Sequence, residues 1–233
     1  MNNKKLEFFT SDDSLEPLKP AKMYVPEWYR LTKTPNYSKI EFNEFGNPDK
    51  NFKSCIPFLD SFISGYIVEL DRDIHVSTTL NGDKSLRWTN AINDQEPLSE
   101  RKEKTGNLPV PAGHSSTPFV WHNRYMFRAP AGYSLIISHP MNRFDLPFTT
   151  LSAIVDVDFL MGEGNIPFFI KQSFEGTIDA GTPLFQIIPF KRESWVAEPN
   201  KELEAIYIKQ NKKNSRKFFN FYKTNLWHKK EYN

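Results

Sequence analysis

Residues 127–190 read FRAPAGYSLIISHPMNRFDLPFTTLSAIVDVDFLMGEGNIPFFIKQSFEGTIDAGTPLFQIIPF. With the residues just before them, they hold the runs FVWHNRYMFRA, YSLIISH, LSAIVDVDFL, NIPFFIKQSF and TPLFQIIPF, each closed by Pro, Gly, Asn or Asp. Short apolar runs between turn residues read as strands, and five in succession describe an antiparallel barrel or sandwich. The expectation is a mainly β core.

On the N-terminal side, Gly65 to Leu70 reads as a strand, and Leu80-Asn81-Gly82-Asp83 carries the Asn-Gly signal of a hairpin between Ile74–Leu80 and Ser85–Thr89. Residues 90–117 are polar and interrupted by Pro97, Pro109 and Pro111, which predicts a long loop. From Met1 to about residue 50 the chain is an arm broken by prolines. VPEWYRLT, with Pro26 at the first helical position and Glu27 in the first turn, predicts one short helix there, docked by Trp28, Tyr29 and Leu31. Residues 199–233 are rich in lysine and aromatics, without Pro or Gly from 201 to 230, which predicts a helical tail. The core therefore occupies about 51–198.

Composition narrows the function. The 30 Lys+Arg nearly balance 28 Asp+Glu, a net charge of +2 that excludes broad coating of nucleic acid by charge. At 15% aromatic, the chain has ample material for a core. One cysteine, Cys55, excludes a disulfide framework and reads as a small core residue. No segment reads as a secretion signal or membrane span, so the expected location is the cytoplasm, with no membrane partner. P-loop, dinucleotide-binding and nucleophile-elbow signatures are missing. His75, His122 and His139 with Glu69 or Asp156 would be needed for a cupin-like metal centre, but no ligand spacing supports one.

The order of motifs within 127–190 resembles the core of the dUTPase and dCTP deaminase superfamily, whose fold is the distorted antiparallel barrel called a β-clip. Ala129-Pro130-Ala131-Gly132-Tyr133-Ser134-Leu135 stands at that family's first turn, Ala153 to Phe159 followed by Gly162-Glu163 at its acidic segment, and Gly181 to Gln186 at its last turn. The resemblance implies that Asp156 contacts a sugar and orients water, that Phe159 packs on a deoxyribose, and that Gln186 stands at a neighbouring subunit's phosphate site. It also implies a homotrimer. Two departures matter: Ala131-Gly132 replace the family's phosphate-facing Arg-Ser, and the Gly-rich closing arm has no counterpart. A second resemblance covers about residues 17–196. Its strings are Pro26 to Tyr29, Cys55 to Asp60 with Gly65-Tyr66-Ile67, HPMNRFDLPF (His139 to Phe148) and IPFKRESW (Ile188 to Trp195). They are similar to an uncharacterised family of tailed-phage and bacterial proteins, which implies the host cytoplasm and a phage or host protein partner.

Residue chemistry adds candidates of its own. His139, Asn142, Arg143 and Asp145 gather on a Pro-bounded turn. There Arg143 either grips a phosphate or carboxylate of a ligand, or is locked to Asp145 while Phe144, Leu146 and Phe148 anchor the loop. Asp156 and Asp158 stand two apart, so their side chains share a face, where they either act as a pair or cap a turn. The tail from Lys201 has nine Lys+Arg and three Glu interleaved with aromatics, a pattern of stacking on bases or of a solvated helix face.

Three functions remain. The first is capture of a nucleotide or nucleotide signal by Gly132, Ser134, His139, Asn142, Arg143, Asp145, Asp158, Phe159 and Gln186, with Asp156 accepting from sugar or base. The second is a dUTPase-like pyrophosphohydrolase in which Asp156 is the base and Mg²⁺ the cofactor. The third is a virion or assembly scaffold whose arm and tail meet other proteins.

Overall fold

A computed structural model describes residues 4–12, 15–34, 44, 51–89, 95–101, 108–159, 162, 164–214 and 221–233. In chain order the elements are β1 (Glu7–Phe9), β2 (Lys19–Pro20), a 3-10 turn (Ala21–Tyr24), α1 (Glu27–Leu31), a second 3-10 turn (Phe52–Ser54) and α2 (Ile56–Ile63). The strands β3 (Tyr66–Glu69), β4 (Ile74–Thr78), β5 (Lys84–Trp88), β6 (Leu98–Glu100), β7 (His114–Asn123), β8 (Met126–Arg128), β9 (Tyr133–Ser138) and β10 (Phe148–Thr150) follow. Then come β11 (Ala153–Asp156), β12 (Gly164–Lys171), β13 (Gly176–Ile178), β14 (Pro183–Lys191), α3 (Leu203–Asn214) and α4 (Phe221–Asn225).

The strands form four antiparallel sheets: β1-β8, β10-β12-β7-β6, β11-β9-β14-β3-β2 and β13-β4-β5. The fold is mainly β, and the sheets stay open among the described residues. One apolar cluster joins them, taking Val68 from β3, Ile74 from β4, Leu98 from β6, Phe127 from β8, Ile137 from β9 and Phe185 from β14. At its centre the Trp121 indole stacks on Phe168 with ring centroids 3.6 Å apart. The indole N–H donates to Thr150 Oγ1 at 3.3 Å, and that hydroxyl donates to Leu184 O at 2.8 Å, so the buried polar atoms are satisfied across three strands.

The hairpin forms where Asn81-Gly82 predicts it, with Gly82 at φ +85° in the turn. Gly65 has a different reason to be glycine. Its φ is +74°, and a Cβ there would lie 2.0 Å from Ile187 O on β14.

The N-terminal arm is fastened to the body by charge. Arg124, after β7, reaches Asp12 at 2.5 Å and Asp71 at 2.6 Å, and Arg72 adds a second contact to Asp71 at 2.7 Å. Two guanidiniums against two carboxylates leave this partly buried group neutral, the condition under which burial of charge is tolerated.

Several expectations are corrected. The segment 90–117 holds β6 and the start of β7, because Leu98 fills the core opposite Trp121; residues 90–94 and 102–107 lie outside the described ones. Pro26 is the N-cap of α1, one position before the first helical residue. Of the three docking residues, Tyr29 is buried, whereas Trp28 and Leu31 are exposed. Cys55 is exposed at the N-cap of α2 and so is not a core residue. Leu146, in the loop before β10, and Phe148, the first residue of β10, are buried, but Phe144 of the loop is 79% exposed.

The tail has two parts. Residues 192–210 are almost wholly exposed, including Trp195, Val196, Leu203, Ile206 and Tyr207. The last residues return to the body: Trp227 Nε1 lies 3.0 Å from both carboxylate oxygens of Asp60 on α2, Lys230 pairs with Asp60 at 2.5 Å, and Tyr232 packs edge-on against Tyr66. Residues 215–220, with Phe218 and Phe219, lie outside the described part.

Candidate functional site

The β9–β14 ladder organises the candidate residues. Ser134 pairs with Phe190 at one end and Ser138 with Gln186 at the other. Four residues of extended chain separate Ser134 from Ser138, about 13 Å. The residues expected to form one site thus fall into two groups at opposite ends of one ladder: Gly132, Ser134, Asp156, Asp158 and Phe159 at the first, and His139, Asn142, Arg143, Asp145 and Gln186 at the second.

At the first end, β11 pairs with β9 so that Asp156 lies opposite Ser134. The Ser134 hydroxyl donates to Asp156 Oδ1 at 2.6 Å. Gly132, at φ +80° in the turn between Pro130 and Tyr133, donates its N–H to Asp158 Oδ2 at 3.2 Å and accepts from the Arg192 N–H at 2.8 Å. The Arg192 side chain closes the group, reaching Asp156 Oδ1 at 3.0 Å and pairing with Asp158. The Ser134 hydroxyl and the Arg192 guanidinium hold Asp156 below the usual carboxylate range, and Arg192 with the Gly132 N–H does the same for Asp158. Two carboxylates against one guanidinium leave this end negative. Asp156 remains 68% exposed on its side chain and keeps lone pairs for a hydrogen-bond donor from solvent.

At the second end the polar groups serve one another. Arg143 grips Asp145 through Nε at 2.9 Å and Nη2 at 2.8 Å, and its Nη1 donates to Tyr24 O at 3.2 Å. Burial pushes Asp145 up, but the Arg143 hydrogen bonds and charge, with Trp28 as a further donor, outweigh it and leave the carboxyl below its ordinary range. His139 Nδ1 accepts the Thr150 N–H at 3.3 Å, which makes Nε2 the protonated nitrogen that donates to Arg143 O at 3.0 Å. Burial lowers the imidazole pKa and keeps it neutral. Asn142, at φ +59°, donates to Ser61 Oγ at 2.7 Å. Gln186 is buried, accepting from the Met141 N–H at 2.9 Å and donating to Ser61 O at 3.0 Å and Ser64 O at 2.5 Å. Two of the strings behind the second resemblance meet here, Trp28 of one donating to Asp145 of the other, and Phe58 of a third packs against Trp28. A phosphate reaching Arg143 would have to displace the Asp145 carboxylate from a two-nitrogen grip.

Beside the first end lies a groove. Phe8 and Phe9 of β1, Met126 and Arg128 of β8, and Phe159 line about 480 Å³. Phe159 is 89% exposed and follows Asp158 directly, so an apolar wall and the polar Asp156–Arg192–Asp158 group adjoin. Arg128 is paired with Glu7 at 2.6 Å.

The histidines do not converge. His75 bonds Thr177 Oγ1 at 2.8 Å, while His122 bonds Ser99 Oγ and Glu96 O, each at 2.9 Å. Among the described residues no three His, Cys, Asp or Glu side chains gather as metal ligands. No helix among them is long and apolar enough to cross a membrane. No protein-family model matches the chain, and neither does any curated protein.

Sequence reasoning missed Arg192, Ser61 and the Phe8–Phe9–Met126 wall. Arg192 stands in the quoted IPFKRESW string, but it reaches Asp158 only because β14 runs back beside β9. Nothing local in the sequence announces that partnership.

Proposed function

We propose that this protein binds a nucleotide-like molecule and does not turn it over. The carrying observation is Phe159, a wholly presented aromatic ring in an apolar groove beside the Asp156–Arg192–Asp158 group. A flat ring packs against Phe159 and the Phe8–Phe9 wall, and the exposed oxygen of Asp156 accepts from a hydroxyl or amino group of the ligand. The 480 Å³ of the groove is within the range of small-molecule sites. This reading keeps the β-clip resemblance for the core and assigns the groove to its acidic segment.

Capture without hydrolysis follows from the charges. A carboxylate held below its ordinary pKa by a hydroxyl and a guanidinium is a weak base near neutral pH, where a general base needs a pKa close to that of the medium. The three guanidiniums at the two ends and in the groove, Arg192, Arg143 and Arg128, are each paired with a carboxylate, so a triphosphate finds no clamp. Recognition rests on base and sugar, with phosphates directed to solvent.

Isothermal titration with a panel of nucleosides and their triphosphates, with and without Mg²⁺, tests this. The expected result is a nucleoside bound about as tightly as its triphosphate, no pyrophosphate release, and a loss of about tenfold or more in Phe159→Ala, the size of one stacked ring. Mg²⁺-dependent pyrophosphate release that disappears in Asp156→Asn would replace this reading with the pyrophosphohydrolase. Absence of binding across the panel would remove both.

A second reading, an assembly component, is favoured by the exposed first part of the tail. α3 has only 12 residues and leaves Leu203, Ile206 and Tyr207 uncovered. Isolated helices of that length are marginal in water. This part of the tail, with Trp195 and Val196, then folds fully against another protein surface, and native mass spectrometry of the full chain reads this as a complex. A chain that stays monomeric at micromolar concentration and joins no partner speaks against it.

A further inference from the structure

Two sheets end in outer strands at one place. β5 closes the β13-β4-β5 sheet and β6 closes the β10-β12-β7-β6 sheet, and a cleft of about 640 Å³ takes its lining from both. Consecutive residues contribute on each side, Lys84, Ser85 and Leu86 from one strand and Leu98, Ser99 and Glu100 from the other. Side chains alternate between faces along a strand, so a wall of consecutive residues is a strand edge with its backbone, not a sheet face.

The register decides which peptide groups point outward. The Thr79 N–H donates to Asp83 O at 2.8 Å, and hydrogen-bonded pairs alternate with non-bonded ones along the β4–β5 ladder. Ser85 and Arg87 are therefore the residues bonded to β4, and the N–H and C=O groups of Lys84, Leu86 and Trp88 point away from it. On the other side, Arg101 N–H donates to Pro118 O at 3.0 Å and His122 N–H to Pro97 O at 2.9 Å. Ser99 is thus bonded to β7, and the peptide groups of Leu98 and Glu100 point away. Among the described residues no strand pairs with either outer edge.

Charge states what the cleft accepts. Asp83, Glu96 and Glu100 belong to its lining. Lys84 is committed elsewhere, with Nζ bonded to Thr78 Oγ1 at 2.8 Å and to Phe174 O at 2.9 Å. An open edge beside three carboxylates attracts an extended chain that carries cations at alternate positions.

We infer that the β5–β6 cleft takes an extended basic peptide of a partner protein as an added strand. The peptide main chain bonds the outward groups of Lys84, Leu86 and Trp88, and its Lys or Arg side chains meet Asp83, Glu96 and Glu100. This surface is built from sheets other than β9–β14–β11 and stands independently of the ligand groove.

The probe is a fluorescent peptide of about ten residues alternating Lys and Val, roughly twice the length of a common strand, titrated with the full-length protein and read by anisotropy. The alternating Glu and Val peptide is the charge control, and two Lys–Val peptides N-methylated at odd or at even positions are the backbone controls. Binding of the Lys–Val peptide at least about tenfold tighter than of its acidic counterpart is expected, with a similar loss in the Asp83→Lys/Glu100→Lys double variant at unchanged Tm. Methylation in at least one register abolishes binding, because an added strand needs its N–H groups. Equal binding of the acidic peptide, binding that survives methylation in both registers, or no binding up to about 1 mM overturns the inference. The methylated peptides test it on the unaltered protein, so a double variant that fails to fold does not leave it open.

Discussion

Arg192 bridges Asp156 and Asp158: its guanidinium is 3.0 Å from the first carboxylate and paired with the second, and its own N–H donates to Gly132. One side chain from the end of β14 thereby ties the end of β11 to the turn that opens β9. The same contact decides the electrostatics of the candidate groove, because it consumes the one cation that the ladder brings to the two carboxylates.

Arg192→Met is expected to reduce the acid sensitivity of the fold. Asp156 and Asp158 both sit below their ordinary value of 3.8 in the folded state, so their contribution to stability is present above that pH and is lost as acid drives the pH through the lowered values. Thermal unfolding from about pH 2 to pH 7 should show a shallower acid limb in the variant than in the parent. Superimposable limbs would mean that the pairing is broken in solution.

His139 gives a second pH dependence of its own. Burial lowers its folded pKa from the ordinary 6.5, against a weaker opposing pull from the Arg143 carbonyl, and the Arg143 and Lys171 charges add to the lowering. The unfolded chain therefore takes up the proton first. Stability is complete above about pH 6.5 and falls as the pH drops toward the folded value. His139→Gln should flatten the change in Tm over this window, and imidazole nitrogen shifts should report a neutral ring protonated at Nε2 near pH 7.

Gly65→Ala should be among the most damaging single changes. The φ of +74° strains any L side chain, and the new Cβ would meet the Ile187 carbonyl at 2.0 Å, so β3 must move off β14. A loss of about 3 kcal/mol or more in urea unfolding is expected. Gly82→Ala, with a similar φ but nothing near its Cβ, should cost less, and the difference between the two isolates the close approach.

Trp227→Phe keeps a ring and removes the indole N–H that sits 3.0 Å from both oxygens of Asp60. The carboxylate is then left to Lys230, and a loss of about 1–2 kcal/mol should appear in equilibrium unfolding. An unchanged midpoint would mean that the C-terminal return does not persist in solution.

The candidate residues were legible in the sequence to different depths. The Asp156–Asp158 spacing, read with the period of a strand, placed both carboxylates on one side, and in the structure both reach Arg192. Of the two readings of Arg143 and Asp145, the structure has them paired within their own loop, a contact two residues apart that local sequence suggests. The resemblance placed Gln186 in a turn beside a neighbouring subunit's phosphate site, but it lies inside β14, buried, and its bonds to Met141, Ser61 and Ser64 depend on where α2 and the loop after β9 come to rest. Cys55 misled because its apolar neighbours line α2, while its own side chain falls at the exposed start of that helix.

By itself the sequence determined the β character of the chain, the hairpin at Asn81-Gly82 and the turn at Gly132, because alternation of side chains and the backbone freedom of glycine are properties of neighbouring residues. It also marked helix in the tail, where α3 and α4 form. Tertiary structure alone decided that the sheets stay open among the described residues, that β5 and β6 share a cleft, and that the candidate residues divide between two ends of the β9–β14 ladder. Those outcomes rest on pairings such as Ser134 with Phe190 and Gly65 against Ile187. Strand order and register are set by the packing of the shared core as a whole, and no local run of residues carries that information.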